Sequence, residues 1–375
     1  MDERKYKIVI DSLGAAGAGL MRSLASALNW PANRVARLMY LSPQVLDAGL
    51  EREKAQKLLD MLGETGLQAS MLPQHEPFTE GEPDFDIALS VRNFAHIGGI
   101  LELIVHVLGV GPEKAREIVC ASPALLMGGV SRATVDALRP RFAALQCDLD
   151  VAHRHTSLYD LLLAPCPEIL RHRVLEIVAG HVNEPDAPAN PRDGDRPNGM
   201  IAAGLSHAQA TRLWDELRGC GATVQLVNRA FERFDVLMQQ AQDGPELRSY
   251  LSEQARIPAK VIEKLLDRLP IVILRQLNAA QVERALTDLS ALGVETEAQL
   301  TTFQAFDLSI DTVSERKDRA VRVLSSLTDR SQAAAASTLH ELPARFQGPF
   351  SSVHARWLQA ELKAAGADSR LLLRK

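Results

Sequence analysis

The sequence is poor in the residues that build disulfide, metal and base-stacking sites. Its four cysteines, Cys120, Cys147, Cys166 and Cys220, form no C-x-x-C pair, which argues against a disulfide framework or a cysteine zinc site. Aromatic residues make up only 5% of the chain, so platforms for stacking nucleic-acid bases are scarce. The formal net charge is -5, so the chain lacks the excess of basic residues that drives binding to a phosphate backbone. We therefore expect a protein of a reducing compartment, with no nucleic-acid partner.

Long apolar runs are also missing. The longest, residues 97–110, is interrupted by Glu102 and His106 and predicts a buried helix rather than a membrane span. The chain does not open with the basic start and apolar run of a signal peptide. Because 46% of its 375 residues are hydrophobic, it can form sizeable cores. These features predict a folded, cytoplasmic protein with no transmembrane segment.

What the sequence does contain is an internal repeat. Five apolar residues, which we call the aligned column, are separated by 80, 75, 72 and 73 residues: Leu50, Val130, Leu205, Leu277 and Phe350. One position later stand Glu51, Ser131, Ser206, Asn278 and Ser351. Four of these five are good helix N-caps. Apolar residues then recur five, eight and twelve positions after the column, which is the spacing of one buried helix stripe.

Glycine and proline mark where helices end and begin. Sixteen positions after the column stand Gly66, Gln146, Gly221, Gly293 and Gly366, and glycine favours the left-handed conformation that ends a helix. Seven positions before it, four copies have proline: Pro43, Pro123, Pro270 and Pro343. Another helix is expected to begin at Pro31, Pro112 and Pro258. With a strand-like stretch at the start, each unit predicts the order strand, helix, helix, short strand, helix, strand.

Five such units account for the whole chain. We place module one at residues 1–74, module two at 84–153, module three at 157–229, module four at 230–301 and module five at 302–375. Module three has a proline-rich stretch at 182–200 that cannot form the second helix of the other copies and predicts a long loop. The proline-rich junction between modules one and two predicts a more mobile first module.

The second copy resembles the C-terminal domain of the bacterial ribosomal stalk protein. The matching residues are Phe85 and Asp86 in the first strand, Gly109 after the first helix, residues 113–119 in the second helix, Ser122 and Pro123, Gly129 and Val130, and the helix that begins at Ser131. The Clp-protease adaptor is similar in fold. The resemblance implies an α+β fold of five tandem modules, each a three-stranded antiparallel sheet with helices on one face.

The resemblance also implies a class of partner. The ribosomal domain recruits translational GTPases through a basic surface on its first two helices, whereas module two has Ile97, Glu102 and Val105 near those positions. The adaptor binds peptides through acidic and histidine residues that no copy here reproduces. A factor that binds a translational GTPase or degron peptides is therefore the alternative prediction.

Three motifs could carry chemistry. The Gly- and Ala-rich segment 14–19 follows a strand and opens a helix, but it does not fit G-x-G-x-x-G. We expect its small residues to let another module approach closely. His153 and His155, with His172 downstream, lack converging metal ligands. The acids at 193–195 lack the spaced oxygens of a calcium loop. We therefore predict no catalytic, cofactor-binding or metal-binding residues.

The predicted function is a non-catalytic protein-protein interaction or scaffold protein, as part of a larger bacterial assembly. Repeat arrays generally present extended surfaces to other macromolecules. The motivating observations are the five divergent copies, the missing catalytic residues and the unusually apolar first helices, such as residues 97–110. An enzyme would need a pocket between modules with converging polar groups, which sequence alone does not reveal.

Overall fold

The computed structural model describes residues 5–182, 199–314, 317–328 and 330–374. Within these residues the chain is an α+β protein with five separate three-stranded antiparallel sheets, each packed with helices. In every sheet the first strand of the module lies in the middle, between the second strand and the third. The predicted fold class, five tandem modules of this kind, is confirmed.

Modules one and two contain three strands and three α-helices each, in the predicted order. In module one these are β1 (Tyr6–Ser12), α1 (Ala18–Leu28), α2 (Ala32–Tyr40), β2 (Gln44–Leu50), α3 (Arg52–Glu64) and β3 (Gln68–Pro73). In module two they are β4 (Phe85–Val91), α4 (Ile97–Leu108), α5 (Pro112–Cys120), β5 (Ala124–Val130), α6 (Arg132–Ala143) and β6 (Cys147–His153).

Modules four and five follow the same order, and module three has a single helix between its first two strands among the described residues. Module three has β7 (Tyr159–Leu163), α7 (Glu168–Val182), β8 (Met200–Leu205), α8 (His207–Gly219) and β9 (Val224–Asn228). Module four has β10 (Phe234–Gln240), α9 (Pro245–Glu253), α10 (Ala259–Leu266), β11 (Ile271–Leu277), α11 (Ala279–Ala291) and β12 (Glu295–Leu300). Module five has β13 (Phe306–Val313), α12 (Lys317–Leu327), α13 (Gln332–Thr338), β14 (Ala344–Phe350), α14 (Ser352–Ala364) and β15 (Ala367–Leu373). The loop predicted at 182–200 falls almost wholly outside the described residues.

One cross-strand pair recurs in every sheet. The residue of the aligned column ends the second strand and lies opposite the aromatic residue that opens the first strand. The five pairs are Leu50 with Tyr6, Val130 with Phe85, Leu205 with Tyr159, Leu277 with Phe234, and Phe350 with Phe306. A slip of one residue would turn every side chain of a strand to the opposite face. The column found in the sequence therefore marks the register of the sheets.

The last helix of each module begins two positions after the aligned column, where the sequence predicts it. Side-chain oxygens of Ser131, Ser206, Asn278 and Ser351 each accept a backbone N–H from the first turn. Glu51, at the same position in module one, makes no such bond. The buried stripe behind these caps packs on the strands and forms the core of each module.

The left-handed residue after this helix is kept even where glycine is absent. Gly66, Gly221, Gly293 and Gly366 have φ of 82°, 87°, 71° and 83°, and Gln146 adopts φ of 53° at the same position. A residue with a Cβ loses roughly 1–2 kcal/mol in this conformation. The turn is therefore set by the module as a whole and not by the residue that occupies it.

The junction between modules one and two is tied back onto module one. Gly81 N donates to Pro43 O at 2.9 Å, and Gln44 Nε2 donates to Gly81 O at 3.2 Å. Modules one and two belong to one compact unit, Met1–His155, and the remaining modules to a second, Thr156–Lys375. These bonds and the shared compact unit count against a mobile first module, an expectation that stays a prediction.

Candidate binding cleft between the first two modules

Modules one and two meet at the ends of their helices. The Tyr40 hydroxyl at the end of α2 donates to Val107 O of α4 at 2.6 Å. Tyr40 O accepts bonds from Ser131 N at 3.0 Å and from Thr134 Oγ1 at 2.9 Å, both at the start of α6. Burial raises the pKa of Tyr40 well above its ordinary value, so its hydroxyl remains a neutral donor. These bonds satisfy the polar groups that the contact between the modules removes from water.

Small residues before and in α1 let it approach α4 closely. A Cβ on Gly17 would lie 2.5 Å from His106 Nε2, and a Cβ on Gly109 would lie 2.6 Å from Ala18 Cβ. His106 Nε2 itself lies 3.2 Å from Ala15 O. The interpretation of segment 14–19 as a place of close approach between modules is therefore confirmed at Gly17 and Ala18.

The same segment is poorly arranged for binding phosphate. Gly14 N donates to Ser12 Oγ at 3.2 Å and Ala15 N donates to Gly66 O at 2.9 Å. A phosphate-binding turn needs such N–H groups directed at the ligand. The start of α1 is moreover covered by His106.

The apolar first helix of module two is used within the chain. Ile97, Ile100, Ile104 and Val107 of α4 are buried, and the last turn of the helix contacts module one through His106. The sequence suggested this helix as a surface for a partner. The structure corrects that interpretation, because packing in its own module and against α1 accounts for its apolar character.

A cleft of about 700 Å³ lies beside the contact between the two modules. Module one contributes the end of β1, the turn before α1 and the start of β3, and module two contributes α6. The lining residues are Ser12, Gly14, Ala15, Gly66, Gln68, Ala133, Asp136, Ala137, Pro140 and Arg141. Most of them are small or apolar, with a few polar groups among them, which is the usual composition of a ligand site.

Arg141 is the cation that lines this cleft. Its Nη1 lies 3.4 Å from both Gly14 O and Ala16 O, at the long end of the hydrogen-bonding range. Burial lowers the pKa of Arg141. A guanidinium carries five N–H donors, so Arg141 has donors left for a ligand in the cleft.

A second polar cluster recurs in four modules and is structural. The second residue of the first strand is a buried aspartate: Asp86, Asp160, Asp235 and Asp307, exposed by 4%, 0%, 8% and 3%. Each carboxylate accepts a backbone N–H from the irregular end of the second strand, at 3.1, 2.8, 2.9 and 2.8 Å. The acid therefore accepts a hydrogen bond from a backbone N–H that has no partner in the strand pairing.

An arginine 24 residues after the aligned column reaches three of these acids. Arg154 Nε lies 3.0 Å from Asp86 Oδ1, and Arg229 Nε donates to Asp160 Oδ1 at 2.7 Å. Arg374 lies 3.7 Å from the corresponding acid of module five. The arginine follows the last strand, so the pair ties the end of each of these modules to its middle strand.

In module five this cluster holds the acid in its ionised form. Burial disfavours the charge on Asp307, but the N–H of Gly348 and the guanidinium groups of Arg345 and Arg374 outweigh it and lower the pKa of Asp307. A carboxylate that accepts so many bonds is suited to holding backbone in place.

Module one lacks the acid and satisfies the same strand end differently. Lys7 stands in its place, and Gly49 N donates to Oε1 of Gln74, which occupies the position of the arginines. Lys7 Nζ donates to Glu76 O at 2.5 Å and lies 4.6 Å from the centre of the Phe78 ring. The buried acid and its partners were not predicted from the sequence. The signal was visible, because the second residue of the first strand is charged in all five modules.

The histidines singled out in the sequence do not converge on a metal site. His155 Nε2 lies 3.6 Å from Asp84 Oδ1. The ring centres of His153 and Phe85 lie 5.3 Å apart in an edge-to-face arrangement. His172 pairs with an acid of its own helix, α7. Among the described residues, no three His, Cys, Asp or Glu side chains could hold a metal ion together. The acids at 193–195 lie outside the described residues.

The exposed surface differs from module to module. The first helix of module five presents Lys317, Arg319 and Arg322 to solvent, and a groove of about 640 Å³ lies between α12 and α14. On α7 of module three, Ile169 is 88% exposed and Leu175 is 46% exposed. Neither feature has a counterpart on α4, the first helix of module two.

Comparison with known proteins gives no relative: no family model, curated protein or solved structure matches the chain. In the described part of the chain, no single helix has both the length and the apolar composition to cross a membrane. Phe94–Leu108 and Pro112–Cys120 meet those criteria only when taken together, and they are bent by 113°.

Proposed function

We propose that the chain is a non-catalytic protein-protein interaction scaffold of the cytoplasm, built from five ribosomal-stalk-like modules and part of a larger bacterial assembly. One observation carries this proposal. The features that recur between modules are internal, whereas the exposed side chains differ from one copy to the next.

The internal features have structural roles. The strand pair of the aligned column sets the register, the N-cap starts the third helix, and the left-handed residue ends it. The buried acid completes a strand end. Selection for a shared chemical reaction would be expected to repeat exposed polar groups, and these modules repeat buried ones instead.

The external features favour recognition of proteins. Ile169 is 88% exposed on a module that has a full core without it. Exposed large apolar side chains that a core does not need are common in surfaces that bind other proteins. The stalk-like character of the modules is supported by their element order and by the central position of the first strand.

Affinity capture of the full chain from the cells that make it tests the proposal. We expect a protein partner that rebinds the purified chain with saturation. Weaker binding by Ile169→Asp would assign the partner to module three, and unchanged binding would assign it to another module. The free energy of unfolding should be unchanged in either case, because Ile169 is exposed. A chain that captures no protein and turns over a small substrate would refute the proposal.

A second candidate function is an accessory translation or proteolysis factor. The observation that favours it is the basic first helix of module five, with Lys317, Arg319 and Arg322 exposed. In the stalk domain this is one of the two helices that carry the recruiting surface. Saturable binding to a purified translational GTPase that is lost when all three residues become Glu would support it. Binding to degron peptides in place of the GTPase would favour the proteolysis version.

A further inference from the structure

We propose that the cleft between modules one and two binds the free C-terminal carboxylate of an extended peptide. The inference rests on the proposed function, for which it names a site and a class of ligand. It starts from Arg141, the cation of the cleft, which has no acid partner among the described residues and is close only to two backbone carbonyls.

The walls of the cleft select the kind of anion. Ala133, Ala137 and Pro140 of α6 present apolar surface next to Arg141, which suits an anion joined to an apolar body. Asp136 lies on the same wall and is exposed. Its negative charge repels a phosphate dianion more strongly than a carboxylate, which carries a single charge. Arginine also matches the planar geometry of a carboxylate with two parallel N–H groups.

The edge of a sheet leads into the cleft and favours an extended ligand. Gln68, the first residue of β3, lines the cleft. β3 lies at the edge of the sheet and pairs with β1 alone among the described strands. A peptide can add to such an edge through main-chain hydrogen bonds. If it runs antiparallel to β3, its last residue lies at Gln68, where Arg141 receives the carboxylate.

The experiment uses the full chain and two pools of acetylated random hexapeptides. One pool has free C-terminal carboxylates and the other is amidated but otherwise identical. After equilibrium dialysis, mass spectrometry measures the enrichment of each peptide on the protein side. We expect at least tenfold enrichment of a subset of the free acids and none of the corresponding amides.

Variants on α6 assign the binding to the cleft. Arg141→Gln should abolish the enrichment, whereas Arg139→Gln should keep it, since Arg139 is exposed on the same helix and does not line the cleft. Ala137→Phe, which fills the cleft without removing a charge, should also abolish it. Urea unfolding followed by Trp30 fluorescence, in a background with Trp214→Phe and Trp357→Phe, shows which variants remain folded, and only those are compared.

Several results would overturn the inference. They are equal enrichment of acids and amides, no enrichment at all, full enrichment in folded Arg141→Gln, and displacement of the peptides by inorganic phosphate but not by acetate. The scaffold proposal is tested separately. If folded Arg141→Gln still captures the natural partner while the peptides are lost or never bound, the partner binds elsewhere and only the cleft inference is affected.

Discussion

At the scale of the residue, the buried aspartate of the first strand is the most informative side chain. Asp160 has no exposed surface, and its carboxylate accepts bonds from Gly204 N at 2.8 Å and from Arg229 Nε at 2.7 Å. Its removal leaves a backbone N–H and a guanidinium without their acceptor, and this is a larger loss than that of a surface ion pair.

Asp160→Ala is therefore expected to lower the free energy of unfolding of module three by about 3 kcal/mol. Urea unfolding followed by Trp214 fluorescence, in a background with Trp30→Phe and Trp357→Phe, measures it. Asp215→Asn, an exposed acid of the same module, is the control and should change stability by less than about 0.5 kcal/mol. Equal effects of the two substitutions would show that the buried acid is not a structural acceptor.

Gln146 holds a left-handed conformation in which the other four modules use glycine. Gln146→Gly removes the steric cost of the Cβ but also the bond that Gln146 Oε1 accepts from Asn93 at 2.9 Å. That bond is exposed and contributes little, so we expect a net gain of about 0.5–1 kcal/mol. Gly221→Ala, at φ of 87°, should lose a similar amount. Thermal unfolding of both variants gives the comparison, and a loss of stability in Gln146→Gly would contradict it.

Asp307 predicts a dependence of stability on pH. Its pKa is lowered in the folded protein, so the unfolded chain binds the proton more readily. The stabilisation is complete above the unfolded pKa, about 3.9, and is lost as the pH falls through the folded pKa. Asp307→Asn should be less stable at neutral pH and lose less stability than the parent between neutral and acid pH.

The tryptophans make that measurement local to module five. The chain has three, and with Trp30→Phe and Trp214→Phe the buried Trp357 reports on module five alone. Urea unfolding is then compared for the parent and Asp307→Asn at a series of pH values. The same loss of stability on acidification in both proteins would show that Asp307 is not held ionised by its partners.

At the scale of the element, two glycines at the start of α1 separate the effect of close approach from that of helix propensity. A Cβ on Gly17 would overlap His106, whereas a Cβ on Gly19 would meet no atom within 4 Å. Overpacking costs about 1–3 kcal/mol, and alanine is favoured over glycine inside a helix by up to about 1 kcal/mol.

We expect Gly17→Val to destabilise the unit Met1–His155 by about 2 kcal/mol and to speed hydrogen exchange in the last turn of α4. Gly19→Ala should leave exchange in α4 unchanged and raise the stability slightly. Urea unfolding and exchange mass spectrometry measure both effects. Normal exchange in α4 of Gly17→Val would mean that α1 and α4 do not depend on this contact.

The elements that could be predicted from the sequence are those with local signals. The last helix of each module could be found because the apolar stripe lies within seventeen residues of an N-cap in four copies and of a terminal glycine in four copies. The cleft was not predictable, because Arg141 and Gly14 are 127 residues apart and come together only when the two modules pack. No local sequence pattern indicates such a contact. The role of α4 was misjudged for the same reason.

At the scale of the whole molecule, one module can supply a charge that its neighbour lacks. In the unit Thr156–Lys375, Arg356 of module five lies close enough to Asp235 of module four to interact electrostatically. Burial, the larger effect, lowers the pKa of Arg356, and the acid opposes it. Module four has Thr301 where modules two, three and five have the arginine that faces this acid. A cation from the next module therefore stands near an acid whose own module has no arginine at that position.

The division into two units predicts that each folds alone. Residues Met1–His155 and Thr156–Lys375, expressed separately, should each unfold cooperatively. A cut between modules one and two should instead expose Tyr40, Val107 and the small residues of α1, and destabilise both pieces. Circular dichroism during thermal unfolding checks this, and two stable single modules would contradict it.

The central claim is that the chain works by binding another protein. The most direct test is the mass of the chain as isolated, under native conditions, from the cells that make it. Light scattering after size-exclusion chromatography, with mass spectrometry of the peak, should show a complex above the 41.0 kDa of one chain that contains a second polypeptide in fixed stoichiometry. A lone chain of 41.0 kDa that turns over a small-molecule substrate would contradict the claim.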